Sequence, residues 1–445
     1  MQKLPFLLKS ILLLAVCLMA SFTVNAQYFY ENGIAYRMTD ENWDKAVVVS
    51  DFYGGYSGDI VIPEIVSTVI WSNYEEYDLT VTVTGIDEEA FRDCTQLTSV
   101  ELPNSIVSIG RNAFYGCSGM QTINLPPSLT SIGTTAFGYC TSLSSITIPN
   151  GVSNMDWNVF YCCTGLTSVS IPNSVTQLNG TFFGCTGLTT VKLPESLITL
   201  DGTFTGCTGL TSIVIPGSVG YIGLRTFENC TALESVVLPS SLTYLAEQAF
   251  FNCENLRNVT CLATTPPAMY TSNSECFDYS TYVSGLLYVP TASKEQYKSA
   301  SWWKLFNNIQ GLLTLNETSV SLERGSTLQL VATLAPGFNA PLGWQSSNTQ
   351  VVTVTADGII RAINLGEAVV YAIAGNEQVA CQVTVVGGDF VLGDFDGDGL
   401  VGVNDVVILI DLILENAGDP ALYDINGDGI VGIADVAAII DLILG

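Results

Sequence analysis

The chain has 445 residues, with 42 acidic side chains against 14 basic ones and no histidine, which gives a formal net charge of −28. This balance excludes a basic footprint for nucleic-acid phosphates, and the lack of histidine excludes Ser-His-Asp triads and the usual zinc sites. Because 48% of the residues are apolar and only 13% are charged, we expect folded domains and not a disordered acidic chain.

The first 26 residues have the pattern of a secretory signal peptide. Lys3 and Lys9 precede a mostly apolar stretch, and Val24-Asn25-Ala26 closes it with a cleavage site after Ala26. Cys17 offers a lipoprotein signal as the alternative, which Val16 before it disfavours. No later segment approaches the roughly 20 apolar residues of a membrane span. We therefore expect an extracellular or cell-surface protein without a transmembrane segment.

A repeat of 22 or 23 residues organises the middle of the chain. Each copy ends in a Phe-x-x-Cys block, and the first seven continue with Leu-x-x-Val/Ile-x-Leu/Ile-Pro, whereas the eighth lacks the proline. One such rung cannot bury its apolar edge alone, so eight copies in phase predict a stacked solenoid. The repeated cysteines are Cys94, Cys117, Cys140, Cys163, Cys185, Cys207, Cys230 and Cys253.

These repeats resemble the BspA-like leucine-rich repeats of bacterial surface proteins over roughly residues 60–310. The resemblance implies a leucine-rich-repeat β-solenoid with an N-terminal cap at 27–89, eight rungs at 90–262 and a C-terminal cap at 263–312. Each short strand alternates, so that Val100 and Leu102 face inward while Ser99 and Glu101 face outward. The outward positions of all rungs are equally consistent with a solvated β-face and with a recognition surface for a protein or a glycan.

The cysteines of the repeat predict a ladder of buried free thiols. Equivalent positions in successive rungs point the same way, whereas a disulfide needs facing Cβ vectors. Outside the ladder phase, Cys261 and Cys276 are the most plausible disulfide pair, and the sequence leaves that pairing open. A partial aromatic stripe is expected to belong to the core or its rim and not to a sugar platform; it comprises Tyr115, Tyr139, Tyr161, Phe183 and Phe251.

A second domain begins where the repeat stops. Short β-type runs at 318–322, 328–332, 351–354, 369–373 and 379–386 alternate with turn residues, which predicts a β-sandwich. The segments Trp344-Gln-Ser-Ser-Asn348, Asp357-Gly358 and Gly366-Glu-Ala-Val-Val resemble the bacterial Ig-like group 2 family over residues 313–386. That resemblance implies a spacer or adhesion module.

The last segment, residues 387–445, contains 12 acids and no Lys or Arg. Its acids follow the Asp-x-Asp/Asn-x-Asp-Gly pattern of a calcium loop twice, 30 residues apart. Side chains at loop positions 1, 3, 5 and 12 and the carbonyl at position 7 are the expected ligands of two Ca²⁺ ions. They are Asp394, Asp396, Asp398, Leu400 and Asp405 in the first loop, and Asp424, Asn426, Asp428, Ile430 and Asp435 in the second.

Each loop runs into a predicted helix, at 404–415 and at 434–444. Two loop–helix units with Asp at position 12 resemble a type I dockerin, the calcium-binding module that docks on a cohesin domain. The resemblance implies a small all-α fold and places partner contacts at loop positions 10 and 11. Those positions hold Val403 and Asn404, then Ile433 and Ala434, where the family often has Ser or Thr. A purely structural calcium module is the alternative.

Together these segments predict a secreted, non-catalytic protein with a solenoid, an Ig-like β-sandwich and a dockerin. The solenoid would recognise a protein or glycan, and the calcium-loaded tail would attach the chain to a cohesin-bearing scaffold or surface. The alternative is a cell-surface adhesin whose tail is only an anchor. An enzyme is disfavoured because the outward face has no carboxylate pair at glycosidase separation and no nucleophile with an adjacent base.

Overall fold

The computed structural model describes residues 28–40, 43–51, 55–72, 75–269, 275–387, 392–396, 399–415 and 423–444. They form two compact units, Met1–Gln310 and Gly311–Gly445, which are treated separately below. The predicted signal peptide lies outside the described residues. Within the described ranges, no helix combines the length and the apolar character that crossing a membrane requires.

In its described residues, the first unit contains 23 short strands and two short α-helices. Its strands are β1 (Tyr28–Glu31), β2 (Ile34–Met38), β3 (Lys45–Val48), β4 (Gly58–Val61), β5 (Ile65–Ser72), β6 (Glu75–Ile86), β7 (Leu97–Glu101), β8 (Ser108–Ile109), β9 (Thr122–Asn124), β10 (Ser131–Ile132), β11 (Ser145–Thr147), β12 (Asn154–Met155), β13 (Ser168–Ser170), β14 (Gln177–Asn179), β15 (Thr199–Asp201), β16 (Ser212–Val214), β17 (Tyr221–Ile222), β18 (Ser235–Leu238), β19 (Tyr244–Leu245), β20 (Asn258–Cys261), β21 (Ala268–Met269), β22 (Leu286–Val289) and β23 (Asn308–Gly311). Helices α1 (Tyr279–Ser284) and α2 (Lys294–Ser299) belong to the C-terminal cap.

Two parallel strand ladders run along this unit, which confirms the stacked solenoid that the repeat predicted. The front ladder follows the Leu-x-x-Val-x-Leu runs and contains the successive sheets β4-β7-β9, β11-β13 and β16-β18-β20-β22-β23. The second ladder uses the apolar pair after each proline, in the orders β6-β8-β10-β12 and β14-β15-β17-β19-β21. Strands β1, β2 and β3 extend the second ladder at the N-terminal end, and β5 pairs antiparallel with β6.

Turns containing the Phe-x-x-Cys blocks form the third side of each rung. Their backbone groups bond across rungs, for example from the Phe114 N–H to the Ala136 carbonyl at 2.7 Å and from the Phe137 N–H to the Val159 carbonyl at 2.9 Å. The rungs are therefore joined on all three sides, which gives a three-sided solenoid around one continuous apolar core.

Stacked phenylalanines form the centre of that core. Nine rings lie one above another with centroids 4.9–5.7 Å apart and with nearly parallel planes. Offset stacking of this kind adds to the energy of burying the rings. The stack comprises Phe91, Phe114, Phe137, Phe160, Phe182, Phe204, Phe227, Phe250 and Phe277, all fully buried.

Beside this stack runs the predicted ladder of free thiols. The Cys117 Sγ donates to the Phe91 carbonyl at 3.0 Å, and the Cys163 Sγ donates to the Phe137 carbonyl at 3.0 Å. The same contact recurs at every later rung cysteine as far as Cys253. Cysteine thus serves as a small apolar residue whose S–H satisfies a buried carbonyl of the rung before it.

Cys261 and Cys276, the proposed disulfide pair, are both free and buried. The Cys261 Sγ lies 3.2 Å from the hydroxyl of Tyr297. The C-terminal cap thus holds this thiol in a hydrogen bond, and the structure has no bond between the two sulfurs.

The second unit begins with an Ig-like β-sandwich. Its strands are β24 (Leu313–Leu315), β25 (Ser319–Glu323), β26 (Thr327–Gln329), β27 (Ala332–Leu334), β28 (Leu342–Ser346), β29 (Val352–Val354), β30 (Ile359–Ala362), β31 (Gly366–Ala374) and β32 (Glu377–Val386). The sheets β25-β32-β31-β28 and β26-β30-β29 share one core, in which Val352 and Ile360 pack with Val370 and Val383. The sequence missed β24, β28 and β30, and the predicted run 328–332 is split between β26 and β27.

The described part of the tail contains two helices, α3 (Val403–Glu415) and α4 (Ile433–Leu444), each one residue longer at its start than predicted. They pack against each other, and one apolar residue of each, Leu409 and Ile439, is fully buried. Gly393, with φ +97°, lies against Val401 and Ile439, where a Cβ would come within 3.2–3.3 Å of side-chain carbons. A small apolar core thus holds the two loop–helix units together.

Candidate calcium loops and docking surface

The two predicted calcium loops, 394–405 and 424–435, adopt matching backbone turns ahead of α3 and α4. Gly399 has φ +86° and Gly429 has φ +85°, a left-handed conformation that glycine adopts without steric cost. These are the glycines predicted at loop position 6. The position-12 carboxylates, Asp405 and Asp435, occupy the first turn of their helices.

Asp405 and Asp435 are buried and accept hydrogen bonds from backbone N–H groups of their own loops. Asp405 is buried, and its two carboxylate oxygens accept N–H bonds from Phe395 at 2.6 Å, Asp396 at 2.9 Å and Gly402 at 2.7 Å. The equivalent contacts thirty residues later join buried Asp435 to Ile425 at 2.8 Å, Asn426 at 3.2 Å and Gly432 at 2.8 Å. Each position-12 carboxylate therefore fixes both ends of its own loop.

These hydrogen bonds also keep the two carboxylates ionised. Burial acts to raise the pKa of Asp405, but N–H bonds from Gly402, Asp396 and Phe395 outweigh it and leave the pKa lowered. The same balance lowers the pKa of Asp435. Ionised oxygen ligands are what a hard cation such as Ca²⁺ prefers.

In the first loop, three predicted ligands converge. Oxygens of Asp394, Asp396 and Asp405 all lie within 4.8 Å of one another, a separation that suits coordination of one cation. A turn within the loop supports this geometry, because the Gly399 N–H donates to Asp394 Oδ2 at 2.8 Å. Asp398, the predicted position-5 ligand, lies outside the described residues. The oxygen donor set that the structure describes fits calcium.

The second loop holds its ligands in backbone hydrogen bonds. Asp424 accepts from the N–H groups of Gly427 at 2.6 Å, Asp428 at 3.1 Å and Gly429 at 2.7 Å. The Asn426 Oδ1 accepts from Asp428, and the Asp428 Oδ1 accepts from Ile430. Among the described residues its carboxylates form no three-acid group as close as that of the first loop. The two loops thus share their backbone frame, whereas only the first brings three acids together.

The remaining predicted site residues lie on the surface. The side chains of Leu400 and Ile430, whose carbonyls are the expected position-7 ligands, are 71% and 70% exposed. Val403 and Ile433 are 73% and 85% exposed, and Asn404 and Ala434 are exposed beside them. The structure therefore presents all four predicted partner contacts to solvent.

An apolar stripe continues from these positions along each helix. On α3 it comprises Val403, Val407, Ile410 and Leu414, and on α4 it comprises Ile433, Ala437, Ile440 and Leu444. The spacing i, i+4, i+7, i+11 places each set on one helix face, and every member is exposed. We call these two sets the apolar stripes. The sequence indicates that both helices are apolar nearly all round and expose part of that surface, but it does not show which residues form the exposed face.

The outward face of the solenoid matches the prediction for most of its length. Glu101, Thr122, Ser145, Ser168 and Thr190 of successive rungs are all exposed. Towards the C-terminal end, two predicted outward positions are wrong, since Val237 and Thr260 are buried. They lie beside the cap strands, where Thr260 is paired with Tyr288 of β22. The cap thus shortens the polar face.

The aromatic stripe lies on the turn side of the solenoid and is a rim, as expected. Tyr139 contacts Tyr115 and Tyr161 edge to face at 5.3 and 5.4 Å, and Tyr161 stacks on Phe183 at 5.1 Å. Tyr139 keeps its ring in this row although its backbone is left-handed, with φ +58°.

Comparison with protein families separates the two units in the same way as the fold. A model described as "BspA type Leucine rich repeat region" matches residues 70–184 and 178–284 with six copies. The solenoid is a BspA-type leucine-rich repeat region. A model described as "Bacterial Ig-like domain (group 2)" matches residues 313–385, which identifies the β-sandwich as an Ig-like domain of that group.

Three solved structures illustrate what the chain is similar to. A leucine-rich repeat protein of T. pallidum is 28% identical over 46% of this chain and 91% of its own, with a TM-score of 0.38. A leucine-rich repeat protein of Bacteroides capillosus is 30% identical over 32% and 96%, with a TM-score of 0.27. A leucine-rich cell surface protein of Faecalibacterium prausnitzii is 20% identical over 65% and 96%, with a TM-score of 0.32. Comparison with curated proteins gives no match.

Proposed function

We propose that this chain is an exported, non-catalytic binding protein. In this proposal the BspA-type solenoid recognises a protein or glycan, the Ig-like domain acts as a spacer, and the tail is a type I dockerin. The tail binds two Ca²⁺ ions and then docks on a cohesin domain of a scaffold or cell surface. The signal-peptide pattern of residues 1–26 supports the exported location.

The repeated apolar stripes carry the docking proposal. A soluble surface seldom leaves rows of Val, Ile and Leu exposed, and such patches mark interaction sites. Each stripe begins at the end of a calcium-type loop, with Val403 two residues before Asp405 and Ile433 two residues before Asp435. Calcium binding would therefore fix the loop ends from which both stripes start.

Calcium-dependent capture of the whole chain on immobilised cohesin domains tests this function. We expect binding in millimolar calcium and its loss in EGTA. A Val403→Glu/Ile433→Glu variant should bind at least about a hundredfold more weakly, because each change buries a charge in the interface. The matched control, Val61→Glu/Val214→Glu, changes two exposed valines of the solenoid and should bind as the parent does.

The alternative function is a cell-surface adhesin whose tail is only an anchor or a structural calcium module. In that case calcium would still protect the tail from protease, yet no cohesin would capture the chain. Capture that survives EGTA, or that the Val403→Glu/Ile433→Glu variant retains, would also contradict docking through the stripes.

A further inference from the structure

A cluster of lysines stands out in a chain of net charge −28. The sequence has seven lysines, Lys3, Lys9, Lys45, Lys192, Lys294, Lys298 and Lys304, so that three of the five beyond residue 27 fall between 294 and 304. These three line one surface depression with a volume of about 390 Å³, together with Asn307, Asn308 and Gln310. We call this depression the lysine pocket.

Each lysine of the pocket directly follows a buried residue whose side chain donates a hydrogen bond to a backbone carbonyl of the segment 263–267. The Ser293 hydroxyl donates to the Thr264 carbonyl at 2.6 Å, and the Tyr297 hydroxyl donates to the Ala263 carbonyl at 2.8 Å. The Trp303 indole N–H donates to the Pro267 carbonyl at 2.8 Å. The stems of the three lysines therefore start from a backbone that is held at three points, which lowers the cost of backbone ordering on binding.

The pocket keeps an excess of positive charge. Lys298 pairs with Glu295 at 2.6 Å, and Glu295 is the only acid between residues 286 and 310. Lys294 and Lys304 form no ion pair within 4.0 Å in the described part of the chain. Three lysines against one glutamate leave two positive charges in this segment, although the surrounding protein is strongly acidic.

The pocket also offers space and amide groups to a ligand, in addition to its positive charge. A cavity of about 390 Å³ lies within the range of small-molecule sites, which is about 300–1,000 Å³. Exposed amides of Asn307 and Asn308 and the half-buried amide of Gln310 can both donate to and accept from hydroxyl groups. Lysine ammoniums act as point charges toward a carboxylate or sulfate and impose no planar, bidentate geometry.

We propose that the lysine pocket binds an anionic saccharide unit through its carboxylate or sulfate group. The ammoniums of Lys294 and Lys304 neutralise the anion, and the three amides bond to sugar hydroxyls. The proposal rests on the proposed function in one respect, the assignment of target recognition to the solenoid, and it names the class of target.

Titration calorimetry of the full chain in EGTA tests this site without any contribution from calcium-dependent docking. Trigalacturonate and its methyl ester form one matched pair of ligands, and a sulfated galactose oligosaccharide and its desulfated form make a second pair. We expect one anionic member to bind at least tenfold more tightly than its neutral partner. Raising NaCl from 0.15 to 0.5 M should weaken that binding, because salt screens exposed charges.

Variants assign the binding to the pocket. Lys294→Gln/Lys304→Gln should weaken binding of the anionic saccharide about tenfold, since it removes two exposed ion pairs with the anion. The conservative Lys294→Arg/Lys304→Arg variant should retain binding, and circular dichroism verifies the fold of both. Lys45→Gln/Lys192→Gln changes the net charge equally elsewhere in the solenoid and should bind as the parent does.

Equal binding of charged and neutral saccharides would overturn the proposal, as would equal affinity of the Lys294→Gln/Lys304→Gln and Lys45→Gln/Lys192→Gln variants. Binding of a hexaglutamate peptide with no binding of either anionic saccharide would also overturn it, in favour of an acidic protein partner. Capture on cohesin is measured separately in calcium, so the two proposals fail independently.

Discussion

Phe182 lies at the middle of the nine-ring stack and contacts a ring on each side. Its centroid is 5.6 Å from that of Phe160 and 5.7 Å from that of Phe204. Phe182→Ala should lower the free energy of unfolding of the solenoid by about 3–5 kcal/mol, through lost burial and the cavity that remains. Urea unfolding followed by circular dichroism measures this loss.

The neighbouring Phe183 provides the control for that prediction. Its ring is half-buried in the aromatic rim and stacks on Tyr161. Phe183→Ala should cost less than half as much as Phe182→Ala, because much of its ring already faces water. Equal losses in the two variants would show that the stack adds nothing specific to the stability of the solenoid.

Asp435 provides a second prediction, in the tail. Asp435→Ala removes the acceptor of three backbone N–H groups and one predicted calcium ligand. Loss of outer partners of a metal site alone costs about 10–100-fold in affinity, so we expect at least a tenfold weaker calcium site. Calcium titration of the full chain measures it, with Asp441→Ala, an exposed acid on α4, as the control. Unchanged calcium affinity in Asp435→Ala would remove this residue from the site.

At the scale of an element, the thiol ladder makes the solenoid sensitive to alkaline pH. Burial raises the pKa of Cys163, Cys207 and Cys253 from 9.0 to about 12 in the folded chain. An unfolded chain releases these protons near pH 9, so unfolding releases protons between about pH 9 and pH 12. The stabilisation from the buried thiols is complete below pH 9 and is lost as the pH rises through this window.

We therefore expect the melting temperature of the solenoid to fall as the pH rises from 8 to 11. A Cys163→Ser/Cys207→Ser/Cys253→Ser variant keeps a donor for each Phe carbonyl but has no thiol to ionise, and its melting temperature should fall less. Thermal unfolding of both proteins at each pH tests this. If the melting temperatures of the two proteins fell equally with pH, titration of tyrosine and lysine would account for the whole decrease.

The elements differ in how far the sequence could predict them. The solenoid rungs were predictable because one pattern recurs with Cys at a fixed place, and stacking then determines which side chains face the core. In the Ig-like domain, β28 was missed because it is an edge strand in which Gly343 and Gln345 are exposed, so it lacks a clear apolar alternation. Gly358 was placed in a turn correctly, and its position against the Trp344 ring explains why a side chain cannot fit there.

The loops of the candidate site were predictable from the sequence, but the exposed face of their helices was not. Loop positions follow from sequence spacing alone, which identified Asp405 and Asp435 as the closing acids. Which face of an almost wholly apolar helix meets solvent depends on how α3 and α4 pack. Only the burial of Leu409 and Ile439 shows that the Val403 and Ile433 faces are the exposed ones.

For the whole molecule, calcium removal should distinguish the tail from the solenoid by their stability. The solenoid has one continuous core along its length, whereas the tail has a small core and acids that repel one another without a cation. Because the tail has no Lys or Arg, the digestion needs a protease that does not require these residues, such as subtilisin. In EGTA we expect it to remove the tail within minutes and to leave the solenoid intact. Mass spectrometry of the products locates the cut.

Added calcium is the control for this digestion and should protect the tail. A tail that resists protease equally in EGTA and in calcium would show that the ion does not stabilise it. Simultaneous loss of the solenoid and the tail in EGTA would contradict the prediction, because the solenoid should stay folded without calcium.

The serine side chains and thiols that donate between rungs of the solenoid share one direction. Ser128 donates to the Ile106 carbonyl at 2.6 Å, Ser241 donates to the Val219 carbonyl at 2.7 Å, and each ladder thiol from Cys117 to Cys253 likewise donates to the rung before it. A chain that emerges N-terminus first from a ribosome or an export channel thus presents the carbonyl acceptors of these side-chain bonds before their donors arrive. Each new rung can add these bonds to the rung already in place, an arrangement that suits folding by elongation as the chain emerges.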